Sequence, residues 1–290
     1  MSHNYTSQWA GADAEIQYLQ LNHGQKLRYL KTGRGEPLLL IHTIRTQLDY
    51  FQKLIPLLSA HFTIYALDLP GHGYSTIEKV DYSEPFMRKS VVDFIQKMGL
   101  NNLTVAGESI GGVLALTVAA ELKDRVSRSI ALNPYDYGCS FGGGIRRSSL
   151  WANLIIGSFG VPVIGWVSAH LENRFLLRKV LEGGVDNRKS LPTELVKEFN
   201  RVGFRRGYRH VERSTFRQWK SWLKARENYA SIHSPVVLVY GKEDWSCIAE
   251  REDNAKQLSN ASVISLEKVS HFSSLEQPAE VARIITGGPL

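Results

Sequence analysis

Short apolar runs separated by polar, glycine-rich connections set the rhythm of the first 134 residues. Glu15 to Leu21 and Lys26 to Lys31, joined by Asn22-His23-Gly24-Gln25, predict an antiparallel hairpin. Pro37 to His42 is a third such run. Phe62 to Leu67 predicts a strand ending in the loop Asp68-Leu69-Pro70-Gly71-His72-Gly73, and Ser83 to Met98 reads as a helix. Leu103-Thr104-Val105-Ala106 has the unbroken apolar character of a buried parallel strand, and Gly112 through Leu122 reads as a helix rich in alanine and leucine. Ser127 to Leu132 is another short strand, stopped by Asn133-Pro134.

The alternation then lapses for nearly a hundred residues. It resumes at the β-branched strand Pro235 to Tyr240, which ends in Gly241-Lys242-Glu243-Asp244. A helix from Glu250 to Leu258, a strand from Ala261 to Leu266 and a helix from Glu276 to Ile285 follow. Repeated βα units predict an α/β fold with a mostly parallel sheet covered by helices on both faces. Sites in such sheets lie at the carboxyl ends of the strands. The informative positions are therefore His42-Thr43-Ile44, Asp68, Ser109, Asn133, Asp244 and His271.

Gly107-Glu108-Ser109-Ile110-Gly111 sits between a strand and a helix. A serine on that tight turn needs small neighbours. The turn lifts its hydroxyl clear of the sheet and leaves the next N–H at a helix N-terminus, aimed at developing negative charge. Ser109, Asp244 and His271 fall at strand ends in the order nucleophile, acid, histidine. His271 lies in Val269-Ser270-His271-Phe272, with Glu276 and Pro278 following. With Asp68-Leu69-Pro70-Gly71-His72-Gly73-Tyr74-Ser75, these motifs make the chain resemble the α/β-hydrolase superfamily over essentially everything outside the middle segment. The resemblance implies a hydrolase core at 1–134 and 231–290, with a helical cap inserted at 135–230. It also implies that Ser109 attacks, that His271 serves as base and then acid, and that Asp244 orients it. Glu243 and Asp136 are competing acids, whereas Asn133 cannot carry charge. The oxyanion donors implied are the N–H groups of Ile110 and Ile44. The superfamily commonly has His-Gly where this chain has His42-Thr43, so the Thr43 hydroxyl is a further candidate donor, and Arg45 is near enough in sequence to reach the pocket. Of the other histidines, His72 reads as part of a structural turn, and His42 as a brace at the pocket's edge.

Composition bounds the rest. With 290 residues and 43% hydrophobic content, the chain can bury a large core. Two cysteines, Cys139 and Cys247, are too few for a disulfide framework, and no basic segment followed by an apolar run opens the chain, so the expected location is cytoplasmic. No spaced ligand cluster points to a metal and no glycine loop to a phosphate, so no cofactor is expected. The net charge is +7, but 135–230 holds 17 Lys and Arg against 8 Asp and Glu, leaving 18 against 20 elsewhere.

That middle segment contains a charge-free run, Ser148 to Leu171. It is long enough for a membrane span of ~20 residues, but Gly157, Gly160, Pro162 and Gly165 argue for two short helices and a turn. It is read as the lining of the pocket, with Trp151 and Trp166 as lining residues beside Trp245 and Phe272; contact with a membrane surface is the lesser expectation. Phe204 to His210 and Phe216 to Lys220 interleave arginine with aromatics, which is read as the solvated face of an amphipathic helix with its aromatics inward. Nucleic acid is not an expected partner.

The expected activity is hydrolysis of an ester-type bond (carboxylic ester, lactone or thioester) in a fairly apolar small molecule, through an acyl-enzyme, by a monomer or homodimer. The rivals are a C–C bond hydrolase or cofactor-free perhydrolase on the same residues, and a hydrolase-like receptor without turnover. Serine at position 109 speaks against the aspartate-nucleophile dehalogenases and epoxide hydrolases.

Overall fold

A computed structural model describes residues 5–21, 24–137, 144–148, 150–159 and 174–287, with the backbone alone at 151, 152, 155, 156 and 159. Among the described residues, eight strands form one sheet: β1 (Glu15–Gln20), β2 (Lys26–Gly33), β3 (Glu36–Ile41), β4 (Phe62–Leu67), β5 (Leu103–Glu108), β6 (Val126–Leu132), β7 (Val236–Gly241) and β8 (Ala261–Leu266). Their order is β1-β2-β4-β3-β5-β6-β7-β8. β2 is antiparallel to both β1 and β4, and every other pairing is parallel. The strands β5 and β7 are buried at every position, which is why they read as continuous apolar runs rather than alternating ones.

Alternation still decides which layer each side chain joins. Leu38 and Leu40 of β3 enter one core cluster, with Tyr50, Phe51 and Leu54. Leu39 and Ile41 enter the other, on the opposite face of the sheet, with Val113, Leu114 and Tyr240. Helix α1 (Glu84–Lys97) carries Pro85 in its first turn, buries Met87, Val91, Phe94 and Ile95 at helical spacing, and is followed by Gly99 at φ +64°. Helix α2 (Ile110–Glu121) is buried from Ile110 to Ala120, as its unrelieved apolar sequence requires.

Between β6 and β7 the described residues form helices and no strand: α3 (Leu150–Phe159), α4 (Arg174–Glu182), α5 (Thr193–Gly203), α6 (Tyr208–Arg217) and α7 (Trp219–Lys224). Helix α5 buries Leu195, Val196, Phe199 and Val202; α6 buries Tyr208, Val211 and Thr215 and leaves Arg217 exposed. Tyr208 and Phe216 are buried and Arg206 and Arg217 exposed, as expected of the segment, whereas Phe204 is exposed and Arg205 turns back to the carbonyls of Gly73 and Ser75. Most of the charge-free run 148–171 lies outside the described residues; its described part is α3, where Leu150 and Leu154 are exposed.

After β7 come α8 (Ile248–Lys256), β8 and α9 (Pro278–Thr286). The C-terminal element expected from Glu276 to Ile285 is divided. A single turn, Ser273–Glu276, precedes α9, which begins afresh at Pro278. The division frees the Glu276 carboxylate to accept from the N–H of Ser270 (2.7 Å), Asp186 (2.8 Å) and Asn187 (2.9 Å).

The loops after β3 and β4 are joined through a buried ionic hub. The Arg28 guanidinium, fully buried, lies 3.1 Å from Asp68 and 3.7 Å from Asp49. Asp68 also accepts from the N–H of Leu48 (2.8 Å) and Tyr74 (2.7 Å), and Asp49 from the Trp9 indole (2.9 Å). Burial works against the Arg28 charge, but the two carboxylates outweigh it and hold it more firmly protonated than usual. Removing one partner of such a cluster strands the others in the core, at a cost of about 3–5 kcal/mol. Arg28→Met is therefore expected to lower stability by about that amount in urea unfolding, and a loss under 1 kcal/mol would show that the hub does not hold the loops.

Candidate active site

All the strand-end positions singled out above lie along one edge of the sheet, on β4, β3, β5, β6, β7 and β8 in that spatial order. At its centre Ser109 adopts φ 60°, ψ −120°, a region that non-glycine residues enter only at a cost of about 1–3 kcal/mol. The turn is fastened on both sides. The Ser109 N–H donates to the Leu132 carbonyl (2.9 Å), and its carbonyl accepts from Gly112 (3.0 Å), Val113 (3.1 Å) and Tyr135 (3.2 Å). Gly107 and Gly111 are obligatory: a Cβ on Gly111 would sit 2.1 Å from the Ile41 carbonyl oxygen, and one on Gly107 2.1 Å from that of Gly111.

His271 is wholly buried, and its Nδ1 lies 2.5 Å from Asp244 Oδ1. The other Asp244 oxygen accepts from the Ser246 N–H (3.0 Å) and the Ser246 hydroxyl, which also accepts from Arg251 Nε (2.9 Å). Burial alone would raise the Asp244 carboxyl. The neighbouring imidazole and the Ser246 donors outweigh it and hold the group below the usual carboxylate range. An ionised acceptor at Nδ1 fixes the proton on that nitrogen and leaves Nε2 as the basic lone pair. Nε2 is buried and has no hydrogen-bond partner among the described residues. The Trp245 ring stacks on the imidazole at 3.7 Å and 12°, and its own N–H donates to the Gly183 carbonyl (2.9 Å).

Neither rival acid meets His271. Glu243 is exposed. Asp136 is buried, accepting from the Tyr229 hydroxyl (2.6 Å) and Asn254 Nδ2 (3.3 Å). Asn133, at φ 43°, braces this region: its Nδ2 donates to the His271 carbonyl (3.0 Å) and its Oδ1 accepts from the Gly241 N–H (2.8 Å).

Ser109 opens into a cavity lined by Ile44, Ile110, Tyr135, Ile145, Thr215, Phe216, Trp219 and Trp222 among the described residues. The space within it, its open mouth included, is ≈ 340 Å³. Ile110 begins α2, so its N–H lacks an acceptor within the helix; the Ile44 N–H has no backbone acceptor among the described residues. The structure thus gathers Ser109, Ile110 and Ile44 around one space.

Other expected pocket residues lie around it rather than on its wall. His42 has Nδ1 2.7 Å from the Thr43 carbonyl and accepts from the Leu69 N–H at Nε2 (2.9 Å); burial lowers it to about 4, so the ring is a neutral brace. The Thr43 hydroxyl is buried without a partner among the described residues, away from the cavity lining. Arg45, at φ 64°, turns to the insertion: it donates to the Phe199 carbonyl (3.0 Å), pairs with Glu212 (3.3 Å) and lies over the Tyr208 ring (5.0 Å). Trp245 and Phe272 flank the His271 ring. Trp166 and the side chain of Trp151 lie outside the described residues. The lining from Tyr135, Ile145, Thr215, Phe216, Trp219 and Trp222 was not anticipated. The aromatic–arginine alternation at 216–220 is a sequence signal for Phe216 and Trp219.

Among the described residues, no group of three or more His, Cys, Asp or Glu could hold a metal ion, and no helix is long and apolar enough to cross a membrane.

A serine on a strained strand–helix turn, with a carboxylate-held histidine at the same end of this sheet, is the arrangement of an α/β hydrolase. Residues 36–278 match the α/β-hydrolase fold family, and the protein belongs to it. The (E)-2-((N-methylformamido)methylene)succinate hydrolase of Acinetobacter baylyi is 25% identical over 268 residues, 91% of this chain and 94% of that protein. Among solved structures, Cfl2 of Burkholderia cenocepacia aligns with a TM-score of 0.82 over 95% of both chains at 20% identity. The meta-cleavage product hydrolase CumD of Pseudomonas fluorescens gives 0.76 over 93% of this chain and 96% of that one at 17% identity. These two likenesses are likenesses of fold.

The Asp136 network leaves a signature in stability. Burial, partly offset by Tyr229, Arg226 and Asn254, pushes the Asp136 carboxyl up to about 6. The folded protein therefore binds this proton more tightly than the unfolded chain. The associated stability is complete below the unfolded value near 4 and is lost as pH rises through about 6. Two units correspond to about 3 kcal/mol. Asp136→Asn should therefore gain on the wild type between pH 4 and pH 7 in paired urea titrations; a mutant that loses ground over that interval would reverse the assignment.

Proposed function

We propose that the protein is a serine hydrolase acting on ester-type bonds of fairly apolar small molecules. The observation that carries this reading is the buried Asp244–His271 pair, with Nε2 unengaged, on the same sheet edge as the strained Ser109. In this mechanism His271 Nε2 takes the Ser109 proton as the hydroxyl attacks the carbonyl carbon. The oxyanion of the tetrahedral intermediate is held by the N–H groups of Ile110 and Ile44. The imidazolium then protonates the leaving alkoxide, and a water activated by the same nitrogen releases the acyl group. Asp244 stabilises the imidazolium and keeps its tautomer. The chemistry needs no cofactor.

The insertion serves as a cap whose helices α6 and α7 present Thr215, Phe216, Trp219 and Trp222 to the bound molecule. No charged side chain is among the described lining residues, which favours an apolar, uncharged acyl or alcohol group. One second reading has support in a sequence relative: over 100 residues, 33% of this chain and 34% of that protein, the chain is 29% identical to the 2-hydroxy-6-oxo-6-(2'-aminophenyl)hexa-2,4-dienoic acid hydrolase of Metapseudomonas resinovorans, and the same three residues can serve C–C bond hydrolysis.

Ser109→Ala is expected to abolish fluorophosphonate labelling with the circular dichroism spectrum unchanged; labelling that persists removes Ser109 as nucleophile. Asp244→Asn should lower kcat by about 10⁴ by favouring the wrong tautomer, whereas Asp136→Asn should leave it within about threefold.

Chain-length dependence tests the cap. Each methylene buried adds about 0.8 kcal/mol, or roughly fourfold in kcat/KM, until the cavity is full. Trp219→Ala should flatten that rise along a p-nitrophenyl ester series while sparing the acetate. A profile equally steep in the mutant would take α7 out of the specificity argument, and turnover of a vinylogous 1,5-diketone with none of esters would favour the second reading.

A further inference from the structure

Glu108, the residue before Ser109, carries a carboxyl group with no exposed surface. Strand β5 is otherwise Leu, Thr, Val, Ala and Gly. Burial pushes its carboxyl up, against hydrogen bonds from Ser273, Ser274 and Tyr50 and the nearby His271. Packing alone would be better served by an apolar residue.

Its partners lie on the loop that carries the histidine. One carboxylate oxygen accepts from the Ser273 hydroxyl (2.6 Å), the other from the Tyr50 hydroxyl (2.8 Å), and the Ser274 N–H is shared between the two (3.4 and 3.3 Å). Asn133 Nδ2, a pure donor, approaches the same Ser273 oxygen at 3.5 Å, so the Ser273 proton is directed at Glu108. The histidine loop is therefore held on both sides of His271. Glu276 takes the N–H of Ser270 just before it, and Glu108 takes Ser273 and Ser274 just after it. Asp244 and Trp245 fix the tilt and plane of the ring, but neither is attached to the strand that carries the serine. Glu108 is, by one peptide bond.

We propose that Glu108 is a positioning residue, setting the register of His271 against Ser109 through its bonds to Ser273 and Ser274. The inference rests on the serine-hydrolase reading above. A misplacement of about 1 Å between reacting groups can cost 10²-fold, whereas binding of the inhibitor elsewhere in the cavity would be untouched. The effect should therefore fall on the rate of the covalent step and not on recognition. Glutamine preserves an acceptor for Ser273 and Ser274 and offers a donor to Tyr50, so a hydrogen-bonding role tolerates it.

The test is the kinetics of Ser109 phosphonylation by a fluorophosphonate, which needs no known substrate. Rates are taken per folded molecule, with folding checked by near-UV circular dichroism. Glu108→Ala is expected to lower the maximal labelling rate about 10²-fold, with the inhibitor's half-saturation concentration within about threefold. Glu108→Gln should stay within about fivefold of wild type. Ser273→Ala should slow labelling about tenfold, and the double variant Glu108→Ala/Ser273→Ala should be no slower than Glu108→Ala, since both remove one link.

The proposal is overturned if Glu108→Ala labels at the wild-type rate, if Glu108→Gln is as slow as Glu108→Ala, or if the two losses multiply. Should Glu108→Ala fail to fold, unchanged labelling of Ser273→Ala overturns it by itself. Wild-type protein that is not labelled at all overturns the serine-hydrolase reading, and this inference with it. Normal wild-type labelling with unaffected variants overturns this inference alone.

Discussion

At Gly111 the first turn of α2 meets the last carbonyls of β3 with no space for a side chain: an added Cβ would lie 2.1 Å from the Ile41 oxygen and 2.6 Å from that of His42. The geometry of the site depends on this contact. It lets α2 start immediately beside β3, so that the loop leaving β3 and the N-terminus of α2 face one space. Ser109 is thereby forced to φ 60°, with its strain borne by four backbone hydrogen bonds and the burial of α2. A fully buried apolar helix can sustain such a penalty; an amphipathic one at the surface has less to offset it.

Around this apolar centre the carboxyl ends of the strands are polar and buried, and the groups that hold the loops in place are answered. Arg28 is matched by Asp68 and Asp49, Asn133 by Gly241 and His271, and Glu276 by three backbone N–H groups. Hydrophobic contact places the layers but carries no direction. Hydrogen bonds to carboxylates carry direction, and leaving them unmade is expensive. The loops that bear Ser109, Asp244 and His271 are thus specified by polar networks, and the sheet beneath them by apolar alternation.

That division decides what could be read from the chain. Strands such as β5 and β7 show themselves because burial on both faces leaves a continuous apolar run. The turn at 107–111 shows itself because only glycine fits two of its positions. Asp244 was preferable to Asp136 from its place after β7, and Asp136 proves to face Tyr229 and Asn254. Glu276 was assigned to the last helix because nothing local distinguishes a carboxylate that continues a helix from one that turns back to Ser270; Pro278 was the clue. His42 and Arg45 sit at the right strand end, but their directions are set by partners 27 and 154 residues away. The lining by Trp219 and Trp222 has the same origin, since a helix's apolar stripe does not say which surface it covers.

The insertion repeats this logic at its margin. Its contacts with the strand-end loops are polar and directed: Arg45 to Glu212 and Phe199, Tyr74 to Glu198 (2.7 Å), and Arg205 to the carbonyls of Gly73 and Ser75. The surface it turns to Ser109 is aromatic and aliphatic. The excess of basic residues in this segment is therefore spent on the rim and the solvent face, and little of that charge reaches the cavity. Rim bonds of this kind fix where α6 and α7 stand over Ser109, because misplacing them would strand charged groups. The apolar wall, lacking such directional demands, can adapt to the shape of what it encloses at smaller cost. The position of α6 and α7 is thus rigidly specified, and the shape of the wall they present loosely so.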